Sequence, residues 1–151
     1  IIGRDKKTLY YNMNLGFGMD TSPNFCIPRF SGDSSNCVYS GQSVTMTCLQ
    51  LAFHMGFHDV YLIGMDFDYA IPKTAILAEG GTIISQEDDQ NHFSPKCFDS
   101  GKKWFNPHLD RLKNAYRLAD MTYTAHGRNI SNASVGGKLE VFRRCDYRSL
   151  F

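Results

Sequence analysis

The chain has 151 residues, enough for one domain with a hydrophobic core. Hydrophobic residues make up 42% of it and charged residues 21%, as in ordinary globular proteins. The formal net charge of +1 gives no electrostatic reason to expect binding to nucleic acid or to an anionic membrane surface. No apolar run reaches the roughly 18 to 20 residues of a membrane span, so none is expected.

The cysteines argue against a disulfide scaffold or a zinc ribbon. They are odd in number, widely spaced and never arranged as C-x-x-C. This usage favours a reducing compartment and therefore a cytoplasmic location. We expect Cys48 to be buried on a helix. The five cysteines are Cys26, Cys37, Cys48, Cys97 and Cys145.

The first half of the chain predicts a strand, an irregular segment and a helix. "TLYYNMNL" (8–15) can form the strand, and residues 16–42 are rich in Gly, Ser, Asn and Asp. The helix is predicted at about 43–55, with Gly56 placed to end it. Its apolar stripe is predicted to contain Val44, Cys48, Leu51 and Met55, widened by Met46, Leu49, Ala52 and Phe53.

"DVYLIGMDF" (59–67) follows this helix after a short turn. Its continuous apolar run is typical of a central parallel strand that is buried on both faces. A helix that leads into such a strand is the repeating unit of α/β folds. The sequence therefore predicts an α/β fold, with a three-layer, Rossmann-like and mostly parallel sheet.

The second half predicts a long insertion and one more helix–strand pair. Residues 70–105 have the length and polarity of a lid-like insertion within the single domain. A helix is predicted at about 107–126, with Asn106 as its cap and Pro107 in its first turn. Its apolar stripe repeats at spacings of three and four, and a strand "RNISNA" should follow it. The stripe contains Leu109, Leu112, Tyr116, Ala119 and Tyr123.

Asp66 and Asp68 come where the apolar strand ends. In extended chain, residues i and i+2 point to the same side. Ligands of open parallel sheets bind beyond the carboxyl ends of the strands. The two carboxylates could there hold Mg²⁺ on a diphosphate, or one could orient a substrate hydroxyl. The alternative is that Asp66 caps a turn and Asp68 is merely solvated.

"SGQS" (40–43) precedes the first helix. The free N–H groups of a helix start attract phosphate or carboxylate, and Ser40 or Ser43 could add a hydroxyl. Gly41 would let a ligand approach the backbone. An ordinary helix cap explains the same residues.

Two other segments could line the same crevice. "SNASVGGK" (131–138) has small residues that permit close approach, so Asn132 and Ser134 are candidate ligand contacts, although a plain turn explains them equally well. His92, in "NHFSPK" (91–96), could be a general base, because the pKa of histidine lies near neutrality. A lone histidine is also compatible with a structural role.

The segments "LQLAFHMGFHDVYLIGMDFDY", "NHFSP" and "NPHLDRLKNAYRLADMTYTAHGRNISNASVGGKLEVF" together resemble a known family. They resemble the C-terminal part of the 6-hydroxymethylpterin diphosphokinase-like domain, which includes motility-accessory proteins of flagellin glycosylation. Their layout is also similar to that of bacterial lipooligosaccharide sialyltransferases. The resemblance covers roughly residues 40 to 145. Family members have an N-terminal nucleotide-binding half, which "NLGFGMD" (14–20) matches too loosely, so we expect a fragment of a longer protein.

The resemblance assigns roles to several residues. Gly64 and Asp66 match the G-x-D-aromatic stretch, and His92 is the histidine that aligns best with the catalytic base. Tyr69 lies one position from a tyrosine that contacts the donor phosphate in the sialyltransferases, and Asp68 occupies that tyrosine's place.

This resemblance implies a glycosyltransferase of bacterial surface-glycan (lipopolysaccharide) assembly. Its partners would be a nucleotide-sugar donor and a glycan acceptor, with His92 as base, Asp66 orienting the donor and the Ser40–Ser43 segment holding its anionic group. The first alternative is diphosphate transfer from ATP to a pterin-like alcohol, with Asp66 and Asp68 holding Mg²⁺. The second is a non-catalytic binding or assembly domain. A homodimer is expected if a sheet edge or face is left uncovered.

Overall fold

The computed structural model describes residues 10–78, 82–86, 101–105 and 108–151. The described part is an α/β fold with two helices and three small sheets, two of which are parallel. In chain order its elements are β1 (Met13–Asn14), β2 (Val38–Tyr39), α1 (Val44–His54), β3 (Asp59–Leu62), β4 (Ile76–Ala78), β5 (Thr82–Ile84), β6 (Lys103–Phe105), α2 (Leu109–Ala125), β7 (Asn129–Asn132), β8 (Arg143–Arg144) and a 3₁₀ helix (Tyr147–Leu150).

The sheet that positions the candidate site has the order β3-β7-β8, and all its strands are parallel. Asp59 lies opposite Asn129, and Leu62 lies opposite Asn132. The predicted parallel strand is therefore confirmed, but its central place is not. Among the described strands β3 has β7 as its one neighbour and lies at the sheet edge.

Burial along β3 alternates, so the prediction that both its faces are buried is wrong. Val60 and Leu62 pack against the core, whereas Tyr61 on the other face is 46% exposed. The reason is that both helices contribute to one core on the same side of the sheet as Val60, Leu62 and Ile130. The described residues thus form two layers around this sheet.

Helix α1 lies within its predicted bounds, but it faces the core with a different stripe. Met46, Leu49 and Phe53 are buried against α2, while Val44 is 77% exposed. Cys48 is also exposed, so its predicted burial is wrong. Apolar residues surround most of this helix, and contact with α2 selects the buried face.

Gln50, also on α1, is a fully buried polar residue that joins the irregular segment to the helix. Its Oε1 accepts hydrogen bonds from the backbone N–H groups of Ser31 and Tyr39, at 2.9 and 3.0 Å. Its Nε2 donates to the carbonyl oxygens of Tyr39 and Met46, at 2.8 and 2.9 Å. All of its hydrogen-bonding capacity is used, which makes its burial tolerable.

Helix α2 confirms the predicted stripe, since Leu112, Tyr116, Ala119 and Tyr123 are buried. The helix begins at Leu109, and the predicted cap residues 106 and 107 lie outside the described residues. Gly127, with φ = +68°, ends it, and the Arg128 N–H donates to the Tyr123 carbonyl oxygen at 2.9 Å.

The described parts of the predicted lid-like insertion form an antiparallel sheet, β4-β5-β6. Ile83 is fully buried, and the Trp104 indole N–H donates to Ser85 Oγ at 2.9 Å. The sequence did not predict this sheet. His92 lies outside the described residues, and its proposed role stays a prediction.

Candidate functional site

The loops that follow β3 and β7 lie side by side. The Met65 N–H donates to Ser134 Oγ at 2.7 Å, and the Lys138 N–H donates to the Asp66 carbonyl oxygen at 2.6 Å. The backbones nearly touch at Gly137, where an added Cβ would lie 2.5 Å from that same carbonyl oxygen. The carboxyl ends of two adjacent parallel strands thus meet, at the edge where α/β proteins bind ligands.

The β3 loop turns sharply on two residues with left-handed backbone. Gly64 has φ = +72°, and Phe67 has φ = +53°, which is uncommon for a residue with a side chain. The Phe67 ring packs on Tyr116, with ring centroids 6.2 Å apart. The backbone between Asp66 and Asp68 is therefore not extended, and the reason to expect both carboxylates on one side is removed.

The two aspartates have different surroundings. Lys138 Nζ lies 2.6 Å from Asp68 Oδ1, in an ion pair whose side chains are largely exposed. Asp66 is exposed as well, and its carboxylate has no hydrogen-bond or ion-pair partner among the described residues. One carboxylate is therefore neutralised by an ammonium group, and the other faces the surface.

Arg144 holds the β7 loop in place. Its guanidinium donates to the backbone carbonyl oxygens of Ser134, Gly136 and Gly137. It also pairs with Glu140, with Nη2 2.7 Å from Oε1. A planar guanidinium that binds several carbonyl groups fixes a loop well, so Lys138 is presented by a restrained backbone.

The start of α1 borders the same two loops. Ser43 Oγ accepts hydrogen bonds from the Thr45 N–H at 3.1 Å and from the Tyr116 hydroxyl at 3.2 Å. Thr45 Oγ1 donates to Met65 Sδ at 3.5 Å. The helix start, the β3 loop and the β7 loop therefore lie together.

The residues before α1 have structural partners of their own. Gly41 is buried, and an added Cβ would lie 2.5 Å from Met46 Cγ. The Ser40 N–H donates to the Asn14 carbonyl oxygen at 2.9 Å and prolongs the pairing of β1 with β2. These contacts fit the capping alternative. Ligand binding by Ser40, Gly41 and Ser43 stays a prediction.

Asn132 and Ser134 are buried and build the β7 loop from inside. Asn132 Nδ2 donates to the Leu139 carbonyl oxygen, and its Oδ1 accepts from the Ser134 N–H, both at 3.0 Å. Their direct contact with a ligand stays a prediction.

Tyr116 is a member of the site that the sequence did not single out. It belongs to the predicted apolar stripe of α2, which gave no reason to suspect a polar role. Burial raises the pKa of its hydroxyl, the hydrogen bonds to Ser43 and Thr45 lower it, and nearby Tyr69 raises it further. Tyr69 itself is 42% exposed. A neutral, buried hydroxyl thus lies between the helix start and the β3 loop. The other two residues missed from sequence are Lys138, which ends the segment "SNASVGGK" but was not singled out within it, and Arg144, which gave no motif signal.

The aspartates do not fit a protein-built Mg²⁺ site. Mg²⁺ requires near-octahedral oxygen ligands and uses one or two carboxylates together with substrate phosphates. Here Asp68 is already paired with Lys138. Within the described ranges, no three His, Cys, Asp or Glu side chains cluster in a way that could hold a metal ion.

A separate groove of about 340 Å³ lies on the outer side of α2. None of the site residues predicted from sequence lines it. Its lining residues are Lys113, Arg117, Asp120, Met121, Glu140 and Val141.

The geometry defines an α/β domain in which the loops at the carboxyl ends of two parallel strands lie together beside the start of α1. Residues 4–72 match the family model described as "MptE-like: 6-hydroxymethylpterin diphosphokinase MptE-like". The match supports the family expected from the sequence, and it includes α1, β3 and the residues up to Pro72. The matched region begins at residue 4, whereas the resemblance expected from the sequence began at about residue 40.

No curated protein and no solved structure matches the chain, and the similarity to sialyltransferases is not supported by these comparisons. In the described part of the chain, neither helix has the length and apolar character needed to cross a membrane.

Proposed function

We propose that the chain binds the phosphate groups of a nucleotide-type substrate in the crevice formed by residues 64–69, residues 133–138 and the start of α1. One observation carries this proposal: three elements distant in sequence converge at the carboxyl edge of parallel strands. Hydroxyl groups, helix N–H groups and a lysine surround that edge, and all of them suit phosphate.

The first candidate reaction is transfer of a sugar from a nucleotide-activated donor to a glycan hydroxyl in the cytoplasm. Asp66 orients the donor, Tyr69 lies beside its phosphate and His92 removes the acceptor proton. The Lys138–Asp68 pair supports this candidate, because a cation is already present without a metal. This candidate also includes the proposal that the whole domain has a three-layer Rossmann-like architecture, of which the described residues form two layers.

The second candidate is diphosphate transfer from ATP to a pterin-like alcohol. The name of the matching family, 6-hydroxymethylpterin diphosphokinase MptE-like, suggests it. In this reaction Asp66 would be the protein ligand of a Mg²⁺ ion, which would offset the negative charge of the phosphates. The fixed pairing of Asp68 with Lys138 weighs against a metal held by both aspartates.

The remaining candidate is a binding or assembly domain without catalysis, which could act as a homodimer. The outer face of β3 supports self-association, since Tyr61 and Ile63 are 46% and 65% exposed there. Light scattering at increasing protein concentration tests the dimer directly.

A thermal-shift screen of CMP-, UDP- and GDP-sugars and of ATP, each with and without Mg²⁺, tests the proposed function. A ligand at 100 times its Kd stabilises the folded state by about 2.7 kcal/mol. Stabilisation by a nucleotide-sugar without Mg²⁺ supports the first candidate, and stabilisation by ATP with Mg²⁺ supports the second. No stabilisation by any of them leaves the non-catalytic candidate.

A further inference from the structure

We propose that Lys138 is the phosphate-binding cation of this site and does there what a divalent metal between Asp66 and Asp68 would do. This inference rests on the proposed function, and it assigns the cation of that site to the protein itself. Lys138 was not among the residues predicted from sequence.

The position of Lys138 is fixed by both loops at once. Its N–H donates to the Asp66 carbonyl oxygen at 2.6 Å, and its Nζ lies 2.6 Å from Asp68 Oδ1. One residue therefore contacts both members of the predicted metal pair, through its backbone and its side chain. A hydrated Mg²⁺ bound to Asp68 would have to displace this ammonium group.

The lysine is also accessible. Its side chain is 72% exposed and that of Asp68 is 48% exposed, so that a phosphate can reach the ammonium group from solvent. Lysine binds phosphate as a point charge with three donors. Asp68 then holds the Lys138 ammonium group beside the β3 loop, and a ligand phosphate exchanges with the carboxylate.

The loop backbone makes this arrangement specific to position 138. Gly137 lies so close to Asp66 that a side chain would not fit, and Arg144 binds the carbonyl oxygens of Gly136 and Gly137. Lys113, by contrast, lies on the exposed side of α2 and has no loop backbone packed around it in this way.

Isothermal titration of the whole chain with inorganic pyrophosphate and with ATP tests the proposal, each in EDTA and in Mg²⁺. We expect the wild type to bind in EDTA. Lys138→Met should weaken binding about ten- to hundredfold, the loss expected for one charge-assisted hydrogen bond. Lys138→Arg should restore most of it, and Lys113→Met should bind like the wild type.

Asp68→Asn distinguishes phosphate binding by Lys138 from metal binding by Asp68, because the two predict opposite changes in pyrophosphate affinity. If Lys138 is the phosphate-binding group, removing its competing carboxylate leaves pyrophosphate binding equal to or tighter than that of the wild type. If Asp68 holds a metal, the same change abolishes binding. Lys138→Met and Asp68→Asn should both fold, because an exposed ion pair contributes little to stability. Melting curves of the two variants verify this.

Three results would be decisive. Binding that requires Mg²⁺, is lost in Asp68→Asn and persists in Lys138→Met overturns the role of Lys138 and leaves the proposed nucleotide site standing. Binding in EDTA that Lys138→Met leaves unchanged overturns it as well. No binding of either probe by the wild type removes the proposed function and this inference together.

Discussion

Gly137 in the β7 loop lies directly against the backbone of Asp66 in the β3 loop, and Gly137→Ala tests that contact. The new Cβ would lie 2.5 Å from the Asp66 carbonyl oxygen and 2.6 Å from its Cα. Both atoms are backbone, so neither can turn away as a flexible side chain would. Gly136 provides a matched control, because its φ of +76° nearly equals the +77° of Gly137, yet an added Cβ there meets nothing within 4 Å.

The difference between the two variants isolates the clash. Alanine in the left-handed region costs about 1–2 kcal/mol at either position. Overpacking adds about 1–3 kcal/mol at Gly137 alone. In a chain of this size, that difference should lower the melting temperature of Gly137→Ala by a further 2–12 °C or so.

Urea unfolding and melting curves of both variants measure this effect. At a temperature where both are folded, Gly137→Ala should also bind pyrophosphate less tightly than Gly136→Ala, because Lys138 and Asp66 are pushed apart. Equal stability losses in the two variants would refute the close approach of the loops.

Three other changes probe the fold and the site. Gln50→Leu leaves the Ser31 and Tyr39 N–H groups without their acceptor, so urea unfolding should show a loss of at least about 2 kcal/mol, and a change below about 0.5 kcal/mol would contradict the network. Burial raises the pKa of Tyr123 to about 12, whereas an exposed tyrosine ionises near pH 10. The contribution of Tyr123 to the unfolding free energy should therefore be constant below about pH 9 and be lost between about pH 10 and 12, so the fall over that range should be smaller in Tyr123→Phe; an identical pH profile in that variant would refute the assignment. Asp66→Asn should leave the melting temperature nearly unchanged and abolish the ligand-induced shift, and an unchanged shift would remove Asp66 from the site.

Helix α2 could be predicted from the sequence because its apolar residues repeat strictly at spacings of three and four. The parallel type of β7 could be predicted as well, since α2 leads into β7 as α1 leads into β3. The ends of α1 followed from local signals: Ser43 caps the helix, and Gly56 with φ = +85° ends it. The stripe of α2 and the ends of α1 depend on residues close together in the chain.

The buried face of α1 could not be predicted, because apolar residues lie almost all around that helix. Periodicity then does not distinguish Cys48, which is exposed, from Leu49, which is buried. Gln50 has a polar side chain, and only the backbone groups of residues 31 and 39 explain its burial. The buried face of α1 depends on its contacts with α2 and with residues 31 and 39, which the sequence of the helix alone does not reveal.

The proximity of the β3 and β7 loops could be predicted, whereas the contacts between them could not, for a similar reason. The β3 and β7 loops are brought together by sheet register, so Asp66 and Ser134 could be placed near one another from the parallel pairing. The pairing of Asp68 with Lys138 joins residues 70 positions apart, and no local motif announces it. The left-handed backbone of Phe67 also has no sequence signal, because glycine is the usual residue there.

The most direct test of the central claim is a titration of the isotope-labelled chain with inorganic pyrophosphate, followed by backbone amide chemical shifts. If the crevice binds phosphate, the amides of residues 65–69, 134–138 and the first turn of α1 should shift together and saturate at one Kd. Shifts confined to the groove beside Lys113 and Arg117, or no saturable shifts at all, would contradict the account.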